Sequence, residues 1–406
     1  MPALMRSFRL DEIRDSPSTA MTDRARELRH AGANIIVLSA GEPDFATPPH
    51  VVAAAHAAAR DGDTKYPPLA GTRNLKEAVR NKFLRDNGLR YGLHEVTIAN
   101  GSKQIMFNAL MSTCNPGDEV IVPSPSWISY LDMVLFAGAT PVKLRCNPDL
   151  SFKFSASDLE SVVTEKTKWL ILNYPNNPTG ATLSRGELAE LAAVLLRHRN
   201  VHVISDDVYE QFIYTGLDFA TIAQVDPEMR KRTLTVNSLS KTYAMTGWRV
   251  GYCGGPAELI RGMESVQGQS TSGTSTISQA AAVSALNGPQ EFLAGNLKSY
   301  RARRDLTVNL LGRIPGIKCA VPDGAFYVFP DISSFLGRQS AKSGVINTDK
   351  DFVSALLREQ HVAAVQGSAY GAAGHIRISF AAAEEQIAEG CSRLAQFCRG
   401  FLDQHG

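Results

Sequence analysis

A lysine just past an apolar run is the residue best suited to covalent chemistry. Ser238-Leu-Ser-Lys241 closes a stretch of Thr, Leu and Val, and Ala244-Met-Thr-Gly-Trp-Arg249-Val-Gly251 follows it. An amine in a partly desolvated cleft has a lowered pKa and is free to form an imine with a carbonyl carbon. Arg249 offers a bidentate fork to a phosphate, and Ser238 a further donor. Taken alone, a loop lysine beside a solvated arginine satisfies the same letters.

Ser205-Asp206-Asp-Val-Tyr209 ends a second apolar run. An unpartnered carboxylate there is costly, and a cationic ring nitrogen would offset that cost. The ring, held protonated in return, becomes a better electron sink. Tyr209 reaches the same ligand with its hydroxyl. The plainer alternative is a strand-end aspartate that caps the next turn.

Three further segments carry polar groups at similar places. Asn173-Tyr-Pro-Asn-Asn177-Pro-Thr-Gly180 is a turn, and its functional reading makes Asn177 a donor to a ligand oxygen. Ala99-Asn-Gly101-Ser102-Lys103-Gln104 opens a helix whose free amides and dipole attract an anion, although an ordinary serine cap fits too. Gly374-His-Ile-Arg377-Ile-Ser-Phe380 sets an arginine among apolar neighbours, where it needs a carboxylate from a substrate or from the protein. Trp127, in Pro123-Ser-Pro-Ser-Trp127, suits stacking on a planar ring or plain packing. Tyr66, in Thr64-Lys-Tyr66-Pro-Pro, lies in a polar turn where an exposed tyrosine is unremarkable.

These residues share one kind of address. Strands are predicted at Glu119–Ser124, Lys168–Asn173, Val201–Asp206 and Thr233–Ser238, with helices such as Ser102–Cys114 and Ser184–His198 around them. Strands alternating with helices predict a mostly parallel sheet covered on both faces, an α/β fold. Ligands bind such sheets beyond the carboxyl ends of the strands, where the polar residues above fall. The Gln267–Ser275 stretch reads as a flexible polar loop. From about residue 300 the texture becomes α+β: a basic helix over Tyr300–Arg313, the run Gly324-Ala-Phe-Tyr-Val-Phe, a helix around Asp351–Gln360, the strand-like His375–Phe380 and a last helix. A helix over about Pro17–Ala31 is expected to pack with this part.

With 406 residues the chain exceeds what one core usually supports, so two domains are expected: 48–299, and 1–47 together with 300–406. Forty-two basic against 40 acidic residues give no reason to expect nucleic acid or a membrane as partner. The six cysteines form no CxxC pair, which points to reduced thiols, no metal site and a cytoplasmic setting. No secretory leader and no span of about 20 apolar residues is visible.

The order of these motifs, from Gly41-Glu-Pro-Asp-Phe45 through Asn177-Pro-Thr-Gly180, Ser-Asp-x-x-Tyr209 and Ser-x-Ser-Lys241 to Arg377, resembles the class I/II aminotransferases, pyridoxal-phosphate enzymes of fold type I, and within them the prokaryotic aspartate aminotransferases. The resemblance implies a large domain with a mostly parallel central sheet plus a smaller α+β domain. Lys241 then matches the Schiff-base lysine and proton shuttle, and Asp206 the partner of the pyridine nitrogen. Asn177 and Tyr209 match the donors to the phenolic oxygen. Gly101, Ser102, Ser238 and Arg249 match the phosphate cup, with Lys103 beside it, and Trp127 the stacking aromatic. Tyr66 matches a tyrosine that reaches the neighbouring subunit's phosphate, so a homodimer is implied.

Arg377 and the Gly41 backbone match the α-carboxylate site, while Lys103 and Ser18 match contacts to a distal carboxylate. Cis peptides before Pro125 and Pro178 are implied as well. The expected activity is ping-pong amino transfer from an L-amino acid, aspartate or glutamate first, to a 2-oxo acid. Aromatic amino acids, prephenate and a lyase reaction stand as alternatives. A regulatory protein with an added DNA-binding module is disfavoured, since the short N-terminal segment has no room for one.

Overall fold

The computed structural model describes residues 7, 10–13 and 16–402. Fourteen strands are named in chain order: β1 (Ile36–Val37), β2 (Val96–Ala99), β3 (Glu119–Ser124), β4 (Thr140–Arg145), β5 (Thr167–Leu172), β6 (His202–Asp206), β7 (Thr233–Ser238), β8 (Gly251–Gly254), β9 (Tyr327–Val328), β10 (Arg338–Ser340), β11 (Gly344–Ile346), β12 (Val362–Ala363), β13 (Val365–Gln366) and β14 (Ile376–Ser379). Seven of them form the central sheet in the order β2-β8-β7-β6-β5-β3-β4. β8 runs antiparallel to both its neighbours, and every other pairing in that sheet is parallel.

The strands read as almost unbroken apolar runs because both faces are covered. Side chains alternate between two cores. Val120, Val122, Ile171, Ile204 and Val236 enter one cluster, which also holds Met106 and Leu110 of the helix Ser102–Thr113. Ile121, Leu170, Leu172 and Val203 enter another, against Leu188 and Leu191 of the helix Arg185–Arg197. That second helix starts where the sequence demands it. Ser184 and Glu187 form a reciprocal capping box that satisfies amides at the open helix end.

A third body of packing gathers Ile36 and Leu38 with residues from Tyr300 to Phe401. Its sheet, β13-β14-β9, is antiparallel throughout. Val208, Tyr209 and Phe212, just past β6, pack into the same cluster as Phe326 and Tyr327, so the two parts of the molecule meet beside the end of β6.

Several expectations shift. The basic helix begins earlier and spans Phe292–Gly312. Within the apolar Gly324–Phe329 run Tyr327–Val328 is strand, while Gly324 and Ala325 turn aside to meet Ile213 and Phe212. Gln267 is no part of a loose loop. It lies in the helix Ala257–Gly268, 1% exposed, and its amide donates to the carbonyls of Leu69 and Ile98, each at 3.0 Å. Polar letters hid an anchor there. The peptides before Pro125 and Pro178 are cis, and so is the one before Pro175, which was not expected.

Candidate active site

Five strands of the central sheet that point the same way deliver polar groups from their carboxyl ends. β2 leads to Gly101 and Ser102, β3 to Trp127, β5 to Asn173 and Asn177, β6 ends on Asp206, and β7 leads to Lys241. β8 runs the other way, so Arg249 reaches the same edge by preceding its strand. From the opposite side come Gly41, Ser18 of the helix Pro17–His30 and Arg377 of β14.

These residues enclose a cavity of about 210 Å³. Ser18, Gly41, Ser102, Lys103, Trp127, Asn177, Asp206, Tyr209, Ser238, Lys241, Arg249 and Arg377 all line it. Gly101 stands just behind the wall. Tyr66 does not join them: it is 96% exposed on this chain. Tyr130, Asn173, Ser240 and Tyr327 line the cavity too, although the sequence singled out none of them as site residues. The three-residue step from Trp127 to Tyr130, one helical turn, was the available signal for the first. Nothing local marks Tyr327, one letter in an apolar run.

Asp206 is 3% exposed. Its Oδ2 accepts from the Tyr130 hydroxyl at 2.6 Å, while Oδ1 is buried with no hydrogen-bond partner among the described residues. Burial lifts its pKa to about 6, against the lowering pull of Tyr130, the Val208 amide and Lys241. Asn173 fixes the strand end: its amide donates to the Asp206 carbonyl at 2.9 Å and its Oδ1 accepts the Asn177 N–H at 3.0 Å.

Lys241 points its amine at the Gly41 carbonyl, 2.6 Å away. Burial brings its pKa down to about 8; Glu42 opposes this, and Arg377 and Arg249 reinforce it. The shift favours the unprotonated amine that imine formation requires. Tyr209 and Tyr327 share a hydroxyl–hydroxyl bond of 2.8 Å. Arg377 donates to Asn177 Oδ1 at 3.1 Å and to the Ser39 carbonyl at 2.5 Å, while its Nε has no hydrogen-bond partner among the described residues.

The remaining groups form an anion cup. Ser102 is the first residue of its helix, preceded by Gly101 at φ 90°. A Cβ on Gly101 would stand 2.3 Å from Arg249 Nη2, and one on Gly251 would stand 2.3 Å from the Gly101 carbonyl carbon. Glycine at both places is what lets Arg249 lie against the helix entrance, where its Nη2 meets the Asn100 carbonyl at 3.1 Å.

The cavity thus offers an anion cup, an amine of lowered pKa and a buried carboxylate oxygen awaiting a cation. A phosphorylated pyridine aldehyde has the three complementary features, and the residues present fit pyridoxal phosphate.

A family model for aminotransferases of class I and II matches residues 33–394. The chain belongs to that family. It is 50% identical over 391 residues to the aspartate/prephenate aminotransferase of Cereibacter sphaeroides, covering 96% of this chain and 98% of that one. The crystal structure of the aspartate aminotransferase from Rhizobium meliloti superposes with a TM-score of 0.94 at 47% identity, over 98% of this chain and all of the other. The Thermus thermophilus aspartate aminotransferase with maleate gives 0.91 at 38% identity, over 97% of this chain and 100% of that one. The protein is a pyridoxal-phosphate-dependent aminotransferase of the α/β, fold-type I architecture. Among its described residues no helix is long and apolar enough to cross a membrane.

Proposed function

We propose that this aminotransferase works on dicarboxylic amino acids, aspartate and glutamate, with 2-oxo acids as acceptors. One observation carries the reading: two cationic side chains, Lys103 and Arg377, line the same cavity as Lys241. A molecule with carboxylates at both ends can be gripped at both. Lys103 stands 4.8 Å over the Trp127 ring, and its pKa is lowered by burial first and by Arg249 next, with Asp132 opposing. A cation that pays such a desolvation cost gains most from an anionic ligand. Ser18, which lines the same cavity, supplies a further hydroxyl for a bound carboxylate.

In this reading the roles divide as follows. Ser102, Ser238 and Arg249, with the backbone at Gly101, hold the cofactor phosphate. Asp206 keeps a proton on the ring nitrogen, Asn177 and Tyr209 donate to the phenolic oxygen, and Trp127 covers the ring. Bound pyridoxal phosphate supplies an electrophilic carbon and an electron-withdrawing ring. Arg377 and the Gly41 backbone hold the substrate α-carboxylate. Lys241 Nζ, released from its other duties, takes the proton from the substrate α-carbon and carries it onward within the cavity. Tyr66 serves the partner's site in a homodimer; its exposure beside exposed Leu69 supports this. Six free cysteines support a cytoplasmic setting, and a division at 48–299 against 1–47 with 300–406 fits the packing clusters.

A bulkier acceptor carrying two carboxylates, such as prephenate, is the second reading. An apolar cavity of about 480 Å³, lined by Phe107, Met133 and Phe136, adjoins the site and shares Lys103 and Arg249 with it. The name of the Cereibacter relative points the same way.

Half-reactions separate the possibilities. Each amino acid is added to the cofactor-loaded enzyme and conversion to the amino form of the cofactor is followed by absorbance. Aspartate and glutamate should convert it fastest, and Lys103→Met should raise KM for both by at least about tenfold while leaving alanine unaffected, the loss of one charged contact. Conversion by neutral amino acids alone would remove the proposed role of Lys103.

A further inference from the structure

Arg377 and Tyr209 lie on different parts of the chain and, in the reading above, serve different ligands, a substrate carboxylate and the cofactor's phenolic oxygen. Tyr327 touches both. Its hydroxyl lies 2.8 Å from that of Tyr209, and its ring lies under the Arg377 guanidinium, 4.5 Å from centroid to carbon. A Cβ on Gly41 would meet the same hydroxyl at 2.9 Å, so the absence of a side chain at 41 is what admits it. Tyr327 is 1% exposed, and Phe326 and Tyr209 pack against it. Its position is fixed.

We propose that Tyr327 is a positioning residue that couples occupancy of Arg377 to the hydrogen bond Tyr209 makes with the cofactor. The inference rests on the roles proposed above for Arg377 and Tyr209. When Tyr209 donates into the cavity, its oxygen is left to accept, and Tyr327 must be the donor between the two hydroxyls. Chained donors of this kind strengthen one another. A guanidinium over the Tyr327 ring makes its hydroxyl a better donor. A carboxylate on Arg377 weakens that influence, so Tyr327 donates less strongly, Tyr209 follows, and the phenolic oxygen keeps more of its charge. The proton shared near that oxygen is then held more tightly. The arrangement would tell the cofactor that a substrate carboxylate has arrived.

The groups around the pair come from several elements. Arg377 lies on β14, Asp206 at the end of β6, Tyr300 on the helix Phe292–Gly312, and Tyr370 in the turn after β13, its ring 5.2 Å from Arg377. Lys241, with Glu42 and Arg249 acting on it, faces them across the cavity. Burial raises the pKa of the Tyr327 hydroxyl, and the charge of Arg377 over its ring acts the other way.

The test is a pH titration of the bound cofactor's absorbance, with and without maleate, a dicarboxylate that cannot react. Wild type should show a midpoint that moves up when maleate binds. Tyr327→Phe keeps the ring beneath Arg377, so maleate affinity measured well below the ligand-free midpoint should stay within about twofold. Its ligand-free midpoint should rise by roughly half to one pH unit, the worth of one hydrogen bond, and the maleate-induced shift should shrink. Tyr370→Phe changes the other ring over Arg377 without touching Tyr209, and should keep the full shift. If Tyr327→Phe does not fold, 3-fluorotyrosine at 327 provides a stronger donor of nearly the same shape and should lower the ligand-free midpoint. A wild-type shift that persists undiminished in Tyr327→Phe, or a fluorotyrosine midpoint that does not fall, overturns the proposal. A wild-type protein with no titrating absorbance would instead overturn the underlying site assignment.

Discussion

Asp206 should make the cofactor-free protein less stable than it could be, and Asp206→Asn measures by how much. The carboxyl is buried with one oxygen unpartnered, and its pKa stands at about 6 against an ordinary 3.8. That gap of roughly 2 units corresponds to about 3 kcal/mol between the folded and unfolded chain. The sign follows from the direction of the shift. A raised acid pKa means the fold prefers the neutral carboxyl, so this contribution is intact below about pH 4 and lost as pH rises through 6. Roughly 2 of the 3 kcal/mol should disappear between about pH 4.5 and pH 7.5.

Asparagine cannot ionise and escapes the loss. Its amide can still accept from Tyr130, but it leaves an NH₂ where Oδ1 stood, an unpaired donor costing about 1–3 kcal/mol at every pH. The absolute stability of the variant therefore decides little; the slope decides. Denaturant unfolding of cofactor-free wild type and Asp206→Asn across this range should show the difference moving toward the variant by about 2 kcal/mol. With pyridoxal phosphate bound the preference should reverse, because the ring nitrogen supplies the cation that the carboxylate lacks. A difference that stays flat with pH would refute the argument that burial governs this carboxyl.

Two substitutions probe the rest of the site. Lys241→Ala should abolish the absorbance of the lysine-bound cofactor and lower turnover by at least about a thousandfold, as expected when the proton-moving group is removed; steady-state assays with intact activity would sink the assignment. Gly101→Ala forces a side chain into a left-handed backbone position, φ 90°, with its methyl 2.3 Å from Arg249 Nη2. On the proposed role of Arg249, displacing it removes charge-assisted bonds to phosphate, so cofactor Kd should rise about 10- to 100-fold by absorbance titration, and an unchanged Kd would place the phosphate elsewhere.

Much of this enzyme is readable from its letters, for a local reason. A strand buried on both faces must be apolar along its length, so the polar residue that ends it stands out. Asp206, Ser238 with Lys241, and the Asn173–Asn177 turn were visible in that way, and β3 and β7 fell where the apolar runs predicted. The helix start at Ser102 behind Gly101 was legible too, because a glycine ahead of a polar first turn is a local signal.

Contacts between distant segments were not legible. Tyr130 reads as one more residue of an amphipathic turn until the fold brings it to Asp206, 76 positions away. Tyr327 reads as core until it meets Tyr209 across 118 positions. Gln267 reads as loop until it is found buried and bonded to Leu69 and Ile98. Periodicity and turn chemistry are properties of neighbours along the chain, and they determined the strands, the helix starts and the identity of the chemical groups. Which buried polar atom satisfies which other, and which is left open for a ligand, depends on segments far apart along the chain, and only the packed tertiary structure decides it.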